Sequence, residues 1–317
     1  PILFHRKFYC KTLSKKMKIP LPIKLLVSAL LLGFVFYRFP LGEITDCLRR
    51  INLGWFLAAF LLSELIIINQ AFRWYYLLII PKEQKPEFSV LLKYTAAGYF
   101  FNLFVPGSLG GDAYRSIALG KVLIANSVAS VFINKISGLL ALCLLFWLAL
   151  PYAEQIPEQA AWFMAAATLF LIGFCIFIIF NPFKKGKLGE IAAKLREYRK
   201  YPFRLLSAVL GSLLMQVLVV FVQVSLFYAV GIEVPLAFVF VIVPATVLIT
   251  TIPVSFNGIG VREWSMLSLT AVVISSEQLL ASMLLVYAVS ILQAIQGWIF
   301  YITSQHAQHT HTTLHRR

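Results

Sequence analysis

The stretch "FVPGSLGGDAYR" (Phe104–Arg115) interrupts a run that otherwise reads as membrane, "LLKYTAAGYFFNLF" (Leu91–Phe104). A proline, three glycines, a serine, an aspartate and an arginine stand where an apolar helix should continue. The same punctuation recurs in the second half of the chain. Aligning "PGSLGGDAYR" from Pro106 with "PVSFNGIGVR" from Pro253 matches the prolines, Ser108 with Ser255, Leu109 with Phe256, Gly111 with Gly258 and Arg115 with Arg262. Both follow P-x-S-[LF]-x-G-x-x-x-R. Paired, Gly/Pro-interrupted segments in corresponding positions of two halves are the sequence mark of an inverted-topology repeat.

Composition sets the surrounding context. The 317 residues are 60% hydrophobic and only 13% charged, where a soluble domain carries about 25% charged residues. Several apolar runs approach or exceed the roughly 20 residues that cross a hydrocarbon core. The chain therefore reads as an all-α polytopic membrane protein, a single transmembrane domain over 1–317. The net charge of +15 does not point to nucleic acid, because the basic residues concentrate between apolar runs, as the positive-inside rule demands.

Charge counting orients the spans. Arg6, Lys7, Lys11, Lys15, Lys16, Lys18 and Lys24 lead into the first apolar run, Ile23–Phe39, with no acid among them, so the basic N-terminus (1–22) is expected in the cytoplasm. Further spans are expected over Leu53–Ala71, Asn126–Leu150, Ala161–Phe180, Leu205–Val230 and Gln278–Thr303. Arg73 is expected to end the second span, with Trp74, Tyr75 and Tyr76 as interface anchors. "PYAEQIPEQA" (151–160) has two acids and no Lys or Arg and reads as external, whereas residues 181–204 carry eight basic residues against two acids and read as cytoplasmic. The two broken segments make either two re-entrant hairpins beside about six full spans, or eight spans. The first repeat is expected over 23–150 and the second over 161–303, followed by a disordered His-rich tail, 304–317, also cytoplasmic. The expected location is the cell (inner) membrane.

Irregular backbone at membrane depth survives only inside protein or beside a water-filled cavity. A half-helix restarting after each break would present free N–H groups and partial positive charge, which suits an anion. Arg115 and Arg262 are expected in the first turn of these half-helices, facing one pocket, where a planar guanidinium suits phosphate. The turns offer Gly107, Ser108, Gly110 and Gly111 in the first half and Ser255, Asn257, Gly258 and Gly260 in the second. Asp112 and Glu263 stand next to the arginines and can equally close local ion pairs, Asp112 with Arg115 and Glu263 with Arg262. Glu64 lies inside the second span, where it sets charge balance, couples to protons or makes an interhelical hydrogen bond. Lys135 lies about ten residues into its span and either joins the site or snorkels to the interface. Gln216, Gln223, Gln293 and Gln296 fit helix-to-helix hydrogen bonding.

Some chemistries find no support. The histidines, His5, His306, His309, His311 and His315, all lie at the termini, and the cysteines lack metal or redox spacing. Walker A, Rossmann and G-x-S-x-G patterns are absent from the sequence. Neither a metal nor a cofactor is expected.

At "NLFVPGSLGGDAYRSIAL", "FINKISGLLAL", "TIPVSFNGIGVREW" and "FRWYYLL" the chain resembles the lysylphosphatidylglycerol synthase transmembrane, or flippase-like, family of bacteria and archaea. Asn102, Pro106, Gly107, Gly110, Asp112 and Arg115 match the family's first motif, and Pro253, Gly258, Gly260, Arg262 and Glu263 its last. The family's middle motif carries an acid before a basic residue. Here it reads Asn134–Lys135, without the acid. The resemblance implies transfer of an anionic or aminoacylated lipid between leaflets. The substrate would be an anionic phospholipid or a polyprenyl-phosphate lipid, and a separate cytosolic synthase is an implied partner. Two other readings stay open: the intramembrane part of a lipid aminoacyl- or glycosyl-transferase, and a non-catalytic membrane scaffold for such a synthase.

Overall fold

The computed structural model describes residues 46–81, 83, 85–102, 109–120, 123–180, 193–252 and 258–314. The first apolar run (23–39), the N-terminal basic segment and the turn residues Gly107, Ser108, Ser255 and Asn257 lie outside the described residues. Among the described residues the structure is helical, without strands. The principal helices are α1 (Leu53–Leu77), α2 (Phe88–Asn102), α3 (Leu109–Ala118), α4 (Ile124–Ala149), α5 (Glu158–Phe180), α6 (Pro202–Ala229), α7 (Leu236–Thr251), α8 (Val261–Thr270) and α9 (Ser276–Leu314). Five of them, α1, α4, α5, α6 and α9, contain stretches long and apolar enough to cross a membrane. A polytopic all-α membrane protein follows. The boundaries shift from the sequence reading where it matters: α1 runs through Leu77 rather than Ala71, and α9 continues past Thr303 to Leu314.

α1 and α6 are antiparallel neighbours. At one end the Asn52 N–H donates to the Ala229 carbonyl at 2.9 Å, and Trp55 packs on Tyr228 with ring centroids 5.0 Å apart. At the other end the Tyr198 hydroxyl donates to the Leu77 carbonyl, and Arg204 Nη1 donates to the Leu78 carbonyl at 3.0 Å. Local signals fix both starts. Asn52 caps α1 by accepting from the Gly54 and Trp55 amides, and Pro202 opens α6, where a missing N–H costs nothing. Trp55 and Tyr75 lie near opposite ends of α1, about 30 Å apart at the helical rise, which matches the hydrocarbon core of a bilayer. Large apolar side chains face outward along the bundle, Leu169 and Phe170 at 71% exposure among them, as a lipid-facing surface requires.

The two halves share an element order. A long helix is followed by a helix of 15 or 16 residues, a break, a helix of 10 residues and a second long helix: α1, α2, α3, α4 and then α6, α7, α8, α9. Their packing corresponds as well. α2 packs on α9 and α7 on α4, while α3 lies against α2 and α4, and α8 against α7 and α9. The start of α2 meets the Leu77 end of α1, through Phe88 against Phe72 and Tyr75, and the start of α4 meets the same end, where Asn126 bonds the Ile79 carbonyl at 2.5 Å. In the second half, α7 follows directly on the Ala229 end of α6, and Gln278 in the first turn of α9 reaches the Val230 and Gly231 carbonyls there.

Small residues let these elements close on each other. A Cβ on Gly111 would stand 2.7 Å from the Gly98 carbonyl oxygen, so α3 lies backbone to backbone on α2. A Cβ on Gly297 would stand 2.3 Å from the Ala96 carbonyl oxygen, at the crossing of α9 and α2. Gly297→Ala is therefore expected to destabilise the protein by about 1–3 kcal/mol through overpacking. Gly173→Ala, whose Cβ would meet nothing within 4 Å, should be neutral or slightly stabilising through helix propensity. Thermal unfolding of both variants in detergent checks the pair.

Candidate functional site

The first break is closed by protein groups. Asn102, the last residue of α2, accepts a hydrogen bond from the Gly111 amide at 2.7 Å through Oδ1, so α3 starts against the end of α2. The Gly111 N–H is thereby used within the fold, and the absence of a side chain at Gly111 serves the close approach to Gly98. Arg115 does not stand in the first turn of its half-helix. α3 begins at Leu109, which puts Arg115 in the last turn, where a cation is favoured by the helix dipole. Asp112, one turn earlier, occupies the end that favours an acid.

Around this helix the structure gathers more cations than the sequence suggests. Arg115, 3% exposed, donates through Nη2 to Asp112 Oδ1, and Lys135 Nζ lies 3.3 Å from Asp112 Oδ2. Lys135 thus joins the cluster rather than snorkelling away. Arg73, expected at the interface, is 3% exposed and points into the bundle. Its Nη2 donates to the Asn134 carbonyl at 2.8 Å, to Ser137 Oγ at 2.9 Å and to Ser212 Oγ, and its Nη1 to Met215 Sδ at 3.3 Å. Gly211 makes room for it, because a Cβ there would stand 2.7 Å from Arg73 Cγ. The Arg73 and Arg115 charges lie close enough to act on each other. Trp74 likewise turns inward: it is fully buried, donates to Ser130 Oγ at 3.1 Å, and carries the Arg115 guanidinium 5.6 Å from its ring centre. Tyr75 and Tyr76 stay at the rim.

Arg73, Arg115 and Lys135 therefore share a region in which Asp112 is the one carboxylate forming an ion pair with any of them, among the described residues. Hydrogen-bonding capacity remains open there. Arg115 Nη1, Arg73 Nε and both side-chain polar atoms of Asn134 are buried without a partner. The half-buried Tyr99 phenol donates to Gln70 at 3.1 Å and feels the charges of Arg115, Glu64 and Asp112, which ties Glu64 to the edge of the same region. One Glu64 oxygen is also buried without a partner.

The second break builds a different site. Gly258 and Gly260 adopt φ of +77° and +83°, a backbone open chiefly to glycine. The Gly260 N–H donates to Glu263 Oε2 at 2.6 Å, and the Tyr287 hydroxyl donates to Glu263 Oε1 at 2.5 Å. Arg262 stands in the first turn of α8, as expected, with its guanidinium 5.7 Å from the Tyr287 ring centre. Glu263 thus closes the helix start and holds Tyr287, in place of the expected pairing with Arg262.

The two arginines do not share a pocket. α3 meets α9 near its far end, where Tyr114 packs 6.0 Å from Tyr301, whereas Arg262 meets α9 at Tyr287. Those two tyrosines are about 21 Å apart along the helix. The expectation of two guanidinium groups converging on one pocket gives way to two arginines at separate levels of one helix. The sequence reading also missed Arg73, Asn134, Tyr99 and Tyr287 as neighbours of the site. The signal for Arg73 was its place within one turn of the end of the expected span Leu53–Ala71. Gln216 and Gln293 do link helices, to the Gly138 and Ser63 carbonyls, each at 3.2 Å.

A buried guanidinium held by neutral acceptors has no charge partner to lose. Arg73→Met is accordingly expected to leave the unfolding midpoint unchanged or raised. Ser212→Ala, which leaves the charge and removes an acceptor, should cost about 1–3 kcal/mol. Thermal unfolding in detergent distinguishes the two outcomes.

Among curated proteins no match to the chain is found. The family model described as the lysylphosphatidylglycerol synthase TM region matches residues 22–297, which take in both breaks and Arg73, Arg115, Lys135 and Arg262. The chain belongs to this family of membrane-embedded, lipid-related proteins.

Proposed function

We propose that the protein moves a phosphate-bearing lipid, an anionic phospholipid or a polyprenyl-phosphate lipid, between the leaflets of the cell membrane. The observation that carries this reading is the cation excess at α3, two of whose three members, Arg73 and Arg115, are buried. Arg115 and Lys135 share one carboxylate, Asp112, Arg73 lies within electrostatic reach of Arg115, and Arg115 Nη1 and the Asn134 amide are buried and unpartnered. Burying uncompensated charge and open donors is costly in the apo protein. A phosphate supplies both the charge and the acceptors, and a membrane ionisable group without a structural partner marks a ligand path.

In this reading Arg115, Lys135 and Asn134 hold the headgroup, Arg73 supplies further positive field, and Asp112 keeps binding weak enough for release. Asn102, Gly110 and Gly111 shape the turn beside it. Arg262, steadied over Tyr287, forms a second station, with Glu263, Gly258 and Gly260 building its helix start. Two stations about 21 Å apart along α9 suit a headgroup passing across the membrane better than a single clamp does. Glu64 lies on α1 near the midpoint between Trp55 and Tyr75, between the two belts.

We further infer that residues 23–150 and 161–303 form an inverted repeat, with α2–α3 and α7–α8 as re-entrant hairpins from opposite ends. Three features support this: the shared element order, the exchanged packing partners, and the return of each hairpin to the end of the α1–α6 pair from which it left. With both termini in the cytoplasm, α2–α3 enters from that side and α7–α8 from the other.

Vesicles reconstituted with the full chain and a fluorescent phosphatidylglycerol test the reading, with inward transfer read as protection from an external quencher. Arg115→Gln and Arg262→Gln are each expected to slow transfer about ten-fold or more, the worth of one charged hydrogen bond, with the helical fold retained. Wild-type transfer by both folded variants would sink the proposal. Covalent product from a soluble aminoacyl or glycosyl donor would favour the transferase reading instead.

A further inference from the structure

A second group of cations lies at the rim of the bundle, where the chain leaves α1 and enters α6. Lys85, in the connection after α1, holds its ammonium 3.7 Å from the Tyr75 ring centre. Arg204, in the first turn of α6, lies 4.9 Å over the Tyr201 ring and donates to the Leu78 carbonyl at 3.0 Å. Between them is a cavity of about 290 Å³ lined by Tyr76, Lys85, Phe203, Arg204 and Ser207.

Three features make this cavity attractive to an anion. First, neither cation pairs with a carboxylate among the described residues. Of the neighbouring acids, Glu197 pairs with Lys194 at 3.1 Å and Glu87 accepts from Ser89 at 3.3 Å. Second, burial and then the adjacent Arg204 charge hold the Lys85 ammonium below the usual lysine range, so the two like charges are kept close against their repulsion. Third, Phe203, Arg204 and Ser207 bring the cavity against the first two turns of a 28-residue helix, near its positive end. The walls add an apolar component. Phe203 is 83% exposed and Tyr76 44%, an aromatic surface of the kind that sits at headgroup level.

We propose that this rim cavity binds the phosphate of an anionic membrane phospholipid at the bilayer surface, as a lipid site separate from the buried arginine cluster. Lys85 and Arg204 bracket the phosphate, Ser207 and the first turn of α6 supply further polar contact, and Phe203 and Tyr76 lie along the glycerol and upper acyl region. The site does not depend on transport.

Native mass spectrometry of the full chain in detergent tests it, with phosphatidylglycerol, phosphatidylcholine and inorganic phosphate as probes. Phosphatidylglycerol is expected to bind in preference to phosphatidylcholine. Lys85→Gln should weaken one phosphatidylglycerol site about five-fold, the worth of one basic residue near an anionic lipid. Lys85→Gln combined with Arg204→Gln should remove one bound lipid per chain. Arg204 also holds the Leu78 carbonyl, so Lys85→Gln is the variant that reads charge without disturbing packing. Arg115→Gln should leave this lipid in place, which separates the rim site from the buried one. Unchanged phosphatidylglycerol affinity in Lys85→Gln overturns the proposal. So does displacement of the lipid by millimolar inorganic phosphate, which would make the cavity a soluble-anion site.

Discussion

A helix broken inside a hydrocarbon layer exposes amides that lipid cannot satisfy, so the protein must supply the acceptors. At the first break the acceptor is Asn102, which takes the Gly111 amide from across the gap. At the second it is Glu263, which folds back on the Gly260 amide and is braced by Tyr287. Both solutions place a short helix of 10 residues next to its longer partner, and both leave an arginine on that short helix. The close packing of Gly111 on Gly98 and of Gly297 on Ala96 depends on small residues, because a short helix buried against its neighbours needs elements that approach to backbone distance.

Once the short helices are in place, electrostatics decides their character. α3 carries an acid near its start and an arginine near its end, an order the helix dipole favours, and Asp112 bridges Arg115 and Lys135. That bridge leaves one positive charge unanswered, and Arg73 adds another from α1, held by hydroxyls and a carbonyl instead of a carboxylate. α8 is arranged differently. Its glutamate is consumed by the helix start, and its arginine rests on an aromatic ring. The two halves therefore share a backbone plan but not a charge plan. Buried cations held by neutral groups stabilise a fold poorly, so their persistence in this chain agrees with a membrane-embedded, lipid-related family.

The site was legible in the sequence to the extent that its residues sit in motifs. Arg115, Asp112, Arg262 and Glu263 stood out because charge beside Gly and Pro inside an apolar run is rare, and Lys135 because it lies well inside a span. Arg73 did not, since a basic residue followed by aromatics at a span's end looks the same whether it faces headgroups or the bundle. Its direction depends on α1 continuing to Leu77 and on Gly211 of α6 leaving space. Tyr99 was equally hidden, and Asn134 stood out only as the residue that replaces the middle motif's acid, not as an open amide beside Arg73.

The sequence by itself determined the membrane setting, the helical class, the two breaks and the family, because hydropathy, charge asymmetry and Gly/Pro punctuation are properties of the chain read in order. Only the tertiary structure decided that Arg73 and Trp74 turn inward, that Glu263 serves its own helix instead of Arg262, and that the two arginines stand at separate levels of α9. The reason is geometric. A shared motif fixes the local turn, but the distance between two such turns is set by where each short helix packs on α9, and that packing arises from contacts between residues far apart in the chain.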